Sequence, residues 1–144
     1  MNGAQHPPAV AETLASWHRM IASRELGGLP ALLHLDATFR SPMAFKPYAS
    51  AKAVNLILTT VFGVFEDFVY HRELASDDGL SAVLEFSARV GDKQLKGIDL
   101  LRFDAEGRIV DFEVMIRPMS GLQALGEQMG QRIGPLLAAF KTPS

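Results

Sequence analysis

The chain has 144 residues, with 14 Lys plus Arg against 16 Asp plus Glu, a net charge of −2. That length suits one domain with a sizeable core, and the near balance of charge supplies no field to attract nucleic acid or an anionic membrane. Cysteine is absent, which excludes disulfides, thiol nucleophiles and thiolate metal sites.

The stretch "MNGAQHPPAVAE" lacks the basic and apolar regions of a signal peptide, and no apolar run approaches the roughly 20 residues that span a bilayer. A soluble, cytoplasmic protein is therefore expected. Residues 1–8 and the closing "KTPS" read as loose tails around one domain over 9–140. From Pro8, the residues Val10, Leu14, Trp17 and Ile21 recur at helical spacing, and Gly27-Gly28 offers a stop. "LPALLHL" is a short helical piece leading into "DATFRSP", a strand with Ala37, Phe39 and Ser41 on one face. Ser50 is placed to cap a second helix, "AKAVNLILTTVFGVF", whose buried side carries Val54, Ile57, Leu58, Val61 and Phe62.

The period then changes. "FEDFVYHREL", "LSAVLEFSARV", "KQLKGIDLLRF" and "RIVDFEVMIRP" are four strand-like runs, and Gly91-Asp92 and Glu106-Gly107 mark tight turns between the last three. An antiparallel meander follows. A last helix is expected from Ser120, where "SGLQ" fits a capping box, until Gly134-Pro135 bends or breaks it. Helices first and a curved antiparallel sheet after them make an α+β domain.

Within the meander, alternation puts Leu95, Gly97, Asp99, Leu101 and Phe103 on one face. The turn at Gly91-Asp92 sets Asp99 opposite Leu84, beside Ala82, Phe86 and Ala88, and the next strand adds Val110, Phe112, Val114 and Ile116. The other face collects Glu85, Ser87, Arg89, Lys96, Arg102, Asp111, Glu113 and Arg117, of which Glu85, Glu113 and Arg117 read as an exposed charge ladder or part of a dimer face. Asp99 is thus the lone ionisable group on the apolar face and is expected to point inward. Two readings stay open: a structural Asp bonded to backbone, or a pocket carboxyl whose pKa is raised by desolvation. Trp17 reads first as core, but a buried indole N–H needs a partner, and Asp99 would serve. Tyr70, on a strand face with Phe68, points to the interior or its rim. Tyr48, in the "FKPYAS" loop, closes a pocket mouth or packs that loop. His6, His18, His34 and His71 form no i,i+4 pair, so no metal site and no cofactor are expected.

"DATFRSPMAFKPY", the long helix after it, "FEDFVY", "VLEFSARVGDKQLKGIDLLRFDAEGRI" and "VMIRPMSGLQAL" together resemble the nuclear transport factor 2-like superfamily, and most its SnoaL-like branch, over about residues 10–133. The fold this implies is a cone: a strongly bent sheet wrapped on N-terminal helices, a C-terminal helix, and a pocket inside. The resemblance places Trp17, Phe39, Ser41, Phe68, Tyr70, Leu84, Phe86, Phe103, Phe112 and Val114 around that pocket with Asp99, and it implies a homodimer through the outer sheet face (Val83, Ile98, Leu100, Met115).

"GIDLLRFDAEGRI" is also similar to the matching hairpin of ketosteroid isomerase, whose aspartate is an oxyanion-hole donor held protonated. Residue by residue that role falls on Asp99, the oxyanion-hole tyrosine on Trp17 and the general-base aspartate on Ser41. An indole N–H donates but cannot exchange a proton near neutral pH, and an unactivated serine is no base for a carbon acid. The resemblance therefore implies something other than a classical ketosteroid isomerase. SnoaL-type polyketide cyclases use an aspartate as acid/base in a comparable pocket, whereas limonene-epoxide-type hydrolases need two carboxylates and an arginine. The expectation is a binder of a small apolar, polyketide- or steroid-like molecule, with Asp99 as catalytic acid/base for an isomerase-, cyclase- or hydratase-like step. A non-catalytic carrier, or an interaction module with a vestigial pocket, is the alternative.

Overall fold

A computed structural model describes residues 6–140; of the expected tails, residues 1–5 and "KTPS" lie outside the described residues. Residues 6–8 are instead part of the fold, with His6 Nδ1 2.7 Å from the Gly79 carbonyl and Pro8 opening the first helix. Helix α1 (Pro8–Ser23) starts on a proline, which needs no N–H donor in the first turn, and turns Val10, Leu14 and Trp17 inward. It stops earlier than Gly27-Gly28: Arg24 takes a left-handed conformation (φ 61°) and Glu25 N–H closes back onto the Met20 carbonyl. A 3-10 turn (Leu29–Leu32) leads into β1 (Leu33–Arg40), and the short β2 (Tyr48–Ala49) precedes helix α2 (Ala51–Val64). Four long strands follow, β3 (Glu66–Ala75), β4 (Ser81–Val90), β5 (Lys93–Phe103) and β6 (Ile109–Arg117), and then helix α3 (Met119–Leu137).

Neither expected side-chain cap forms: Ser50 stands at the start of α2 without a capping hydrogen bond, and α3 begins one residue before Ser120, after Pro118. Nor does Pro135 break α3, which continues to Leu137. The carbonyl that Pro135 leaves unbonded belongs to Gln131, and both residues are exposed, so water can satisfy it.

The strands form one sheet in the order β2-β1-β6-β5-β4-β3. It is antiparallel except where β1 runs parallel to β6, so the sheet is mixed rather than wholly antiparallel. The reason is connectivity: α2 and four strands separate β1 from β6 in the chain, which leaves β1 free to join the far edge of the meander in either sense. The register Leu84–Asp99–Val114 runs straight across β4, β5 and β6, and Leu95, Gly97, Asp99, Leu101 and Phe103 are all buried on one face. One expected inward residue is displaced. A shift between Arg102 and Phe103 pairs Phe103 with Ile109, which is buried where alternation alone had put Val110.

On the outer face Glu85 departs from the exposed ladder. It is buried, with its carboxylate held by Arg72 (2.8 and 2.9 Å) and Lys96 (3.0 Å). The Arg72 hydrogen bonds, then Lys96, hold its carboxyl far below the usual range.

Gly97 is where β5 passes closest to its neighbours. A Cβ there would collide with the Met115 carbonyl and stand 2.8 Å from the Phe86 ring. Gly97→Ala should therefore destabilise the protein by ~1–3 kcal/mol, read from chemical denaturation, because backbone and an aromatic ring must both move. A change within 0.5 kcal/mol would show that the strands give way freely.

Candidate functional site

Buried apolar residues form two clusters among the described residues. One gathers Val10, Trp17, Leu84, Phe103 and Phe112 between α1, α2 and the sheet; the other gathers Val64, Phe65, Phe86, Leu95 and Leu125 beneath α3. Between them lies a cavity of about 210 Å3. Its walls come from β1, the loop after it and β2 (Phe39, Ser41, Pro42, Met43, Tyr48), from α2 (Ile57, Leu58, Val61, Phe62), from the rest of the sheet (Phe86, Asp99, Val114, Ile116) and from α3 (Leu125, Gly126, Met129, Gly130). Gly126 admits the Met43 side chain against α3, so the loop after β1 and α3 meet across the cavity.

Apart from Asp99, the polar side chains in that wall are Ser41 and Tyr48. The Ser41 hydroxyl oxygen accepts a 2.9 Å hydrogen bond from the Met43 N–H, a local turn contact with no base beside it. Asp99 is 4 % exposed. Its Oδ2 accepts a 2.6 Å hydrogen bond from the Tyr70 hydroxyl, whose oxygen accepts in turn from Trp17 Nε1 at 2.8 Å. Burial raises the Asp99 pKa to about 7, with the Tyr70 hydrogen bond opposing. Burial and the adjoining Asp99 push the Tyr70 hydroxyl well above its ordinary value. Asp99 is therefore a carboxyl balanced between its two protonation states near neutral pH, held at the wall of an apolar chamber.

The structure brings together Phe39, Ser41, Phe86, Asp99 and Val114 as expected of a shared cavity. It separates the others. Trp17, Leu84, Phe103 and Phe112 are packed solid in the first cluster, away from the cavity wall. Phe68 and Tyr70 face a second, more open cleft with His18, Ile21, Arg24, Phe62 and Asp67. Alternation fixes the face of each strand residue but not its depth, and at one end of the sheet the interior is filled with rings. Trp17 bonds Tyr70 rather than Asp99, so Tyr70 stands between the two. His18 is tied at the surface to Glu73 (2.7 Å), and that hydrogen bond lowers the Glu73 pKa. Among the described residues no group of three His, Cys, Asp or Glu side chains is placed to hold a metal ion. No helix among the described residues is long and apolar enough to cross a membrane.

The α3 wall (Leu125, Gly126, Met129, Gly130) went unassigned in the sequence. Its signal was there: Leu125 and Met129 share a helical stripe, but a stripe that packs on core and one that borders a cavity look alike.

Comparison with solved structures places the chain among known proteins. It is 66 % identical to a steroid delta-isomerase from Pseudomonas aeruginosa, over 94 % of this chain and 99 % of that one, with a TM-score of 0.90. An uncharacterized protein with a cystatin-like fold from Silicibacter pomeroyi is 29 % identical over 90 % of this chain and 94 % of that one (TM-score 0.83). An NTF2-like protein of unknown function from Mesorhizobium loti shares the fold at 16 % identity, over 81 % of this chain and 100 % of that one (TM-score 0.66). No protein-family model matches the chain, and no curated protein does.

The raised Asp99 pKa has a definite consequence for stability. A carboxyl at 3.8 unfolded and about 7 folded binds more proton in the native state between those values, so stability falls as pH rises from about 4 to about 7. The loss at high pH is at most about 4 kcal/mol. Asp99→Asn should flatten this part of the profile, measured as Tm against pH. An unchanged slope in the variant would assign it to other groups.

Proposed function

The chain belongs to the nuclear transport factor 2-like superfamily, and we propose that it is a cofactor-independent acid/base enzyme of the isomerase or cyclase type, of the SnoaL-like kind. It acts on a small neutral molecule held in the interior cavity. The observation that carries this reading is Asp99: a buried carboxyl on the wall of an apolar cavity, with a pKa of about 7 and, among the described residues, one side-chain hydrogen bond, from Tyr70. A general acid/base is most effective when its pKa lies near the working pH. The apolar lining and the absence of a cation from it favour an uncharged ligand with one hydrogen-bonding oxygen or one acidic C–H next to it.

The Pseudomonas protein is described as a steroid delta-isomerase. Here the position that would carry a second carboxylate is Ser41, bonded to its own turn, and Trp17 spends its N–H on Tyr70. Among the described residues no Asp or Glu besides Asp99 lines the cavity. At about 210 Å3 the chamber also falls below the ~300–1,000 Å3 of pockets that enclose drug-sized ligands, so a steroid would extend past the mouth. A compact substrate, or the reacting end of a larger one, suits it better. Phe39, Phe86 and Val114 would form its apolar bed, Asp99 its acid/base. A carrier that uses the same carboxyl only to orient its ligand is the second reading, since the Asp99–Tyr70 contact alone serves both.

Asp99→Asn keeps an acceptor for Tyr70 and a donor toward the cavity while removing the titratable proton. Ligand binding should survive within about tenfold and turnover should fall at least 100-fold, the usual range for losing a general acid/base. Assay of a panel of cyclic ketones, enones and a Δ5-3-ketosteroid checks this, with the steroid expected to give trace turnover at most; robust steroid turnover would refute the argument from Ser41 and Trp17. Binding across the panel with no turnover of any member would leave the carrier reading.

A homodimer through the outer sheet face forms part of the same proposal. Met115 and Val69 are exposed there (44 % and 50 %), and Gly97, Ile98 and Ile116 line a shallow apolar depression beside Met115. Sedimentation at micromolar concentration should give a dimer, and Met115→Glu should shift it toward monomer. A monomeric unsubstituted protein would remove this part.

A further inference from the structure

We propose that Trp17 and Tyr70 are positioning residues that commit one oxygen of Asp99, Oδ2, to accepting a hydrogen bond, so that Oδ1 alone exchanges a proton with whatever occupies the cavity. This rests on the reading of Asp99 as the acid/base and specifies which atom does the work.

The inference follows from donor and acceptor chemistry along one chain of contacts. An indole N–H donates and never accepts. At 2.8 Å from the Tyr70 oxygen it fills one lone pair of that oxygen, so the hydroxyl proton of Tyr70 must point elsewhere. Asp99 Oδ2, at 2.6 Å, is its acceptor, and Tyr70 has no other hydroxyl acceptor among the described residues. Were a neutral Asp99 to carry its proton on Oδ2, that proton would face the Tyr70 hydroxyl hydrogen. Tyr70 would then have to turn its own O–H away from Asp99 and lose its acceptor, a costly outcome for a donor whose oxygen the Trp17 N–H already holds in place.

Neither ring is free to adjust. Trp17 is fully buried and packed edge-on against Phe62 (5.6 Å) and Phe112 (5.5 Å). Tyr70 is held by Phe68 (4.8 Å) and flanked by His18 (5.3 Å). Asp99 Oδ1 has no hydrogen-bond partner among the described residues, and Asp99 borders the cavity. Oδ1 is therefore an O–H donor in the neutral form and a bare acceptor in the charged form, while Oδ2 accepts in both.

The titratable groups near the pair are few. Beside Tyr70, β3 supplies Asp67 and Glu73 and α1 supplies His18, with Arg24 just past its end; His18 and Glu73 are bonded to each other. The wall residues of α2 and α3 include no titratable side chain, and across the cavity stands Tyr48.

The test is proton NMR of the ligand-free full-length protein, following the hydrogen-bonded Tyr70 hydroxyl through the Asp99 titration. The Tyr70→Phe variant assigns the signal, and carbon NMR of the Asp99 carboxyl reports the titration. The hydroxyl signal should persist on both sides of the Asp99 midpoint. It should shift without vanishing, because Oδ2 accepts throughout. In Trp17→Phe the signal should survive above the midpoint and disappear below it, since neutral Asp99 is then free to donate to Tyr70. The carboxyl midpoint should rise in Tyr70→Phe, which loses the donor that favours the charged form. A wild-type signal that disappears below the midpoint would overturn the proposal even if Trp17→Phe fails to fold, as would an unchanged midpoint in Tyr70→Phe. Because these readings need no substrate, loss of turnover in Asp99→Asn tests the acid/base reading separately.

Discussion

Burying a carboxyl beside no cation is expensive unless the group takes up a proton or its charged form is hydrogen-bonded. At Asp99 both remedies operate in part. One neutral donor, the Tyr70 hydroxyl, meets one oxygen, and the remaining cost raises the pKa to about 7. The contrast with Glu85 shows how much depends on the partner. That carboxylate is also buried, but Arg72 and Lys96 hold it firmly charged. The two acids lie in the neighbouring strands β4 and β5 on opposite faces, and the difference between guanidinium and phenol separates a structural ion pair from a titrating group.

The fold provides for this by dividing its interior. Trp17, Leu84, Phe103 and Phe112 make one end solid, and in doing so they fix the ring whose N–H steadies Tyr70. Towards α3 the wall includes two glycines, Gly126 and Gly130, and an empty chamber remains. A Cβ at Gly130 would meet nothing within 4 Å. The rigid half of the core and the open half thus meet at Asp99: one supplies the geometry, the other the room for a ligand.

Much of this was legible from residue pattern. The alternation through "LKGIDLLRF" and the turn at Gly91-Asp92 predicted the inward Asp99 and its pairing with Leu84, because a one-residue slip would have turned Leu95, Leu101 and Phe103 to water. The parallel pairing of β1 with β6 was not legible, since nothing local to either strand specifies the partner of an edge. The separation of Phe39, Phe86 and Val114 from Leu84, Phe103 and Phe112 was hidden for another reason: both sets are apolar, inward and at the right period. Only side-chain volumes summed in three dimensions distinguish a filled end from a hollow one.

The same limit explains why Tyr70 was harder to place than Asp99. Within "FEDFVYHREL" a tyrosine beside phenylalanine reads equally well as core or rim, and its hydroxyl partner sits 29 residues away. β3 pairs with β4 through two register shifts, between Glu66 and Val69 and between Tyr70 and Glu73. Tyr70 stands between them, paired with Phe86, where the strand is free to bend independently of the simple alternation on either side. From that position the phenol reaches past β4 to the Asp99 carboxyl on β5, a 2.6 Å hydrogen bond between strands that are not neighbours in the sheet. Alternation relates a residue to the strand directly beside it, so a bond that skips a strand leaves no trace in the pattern of either one.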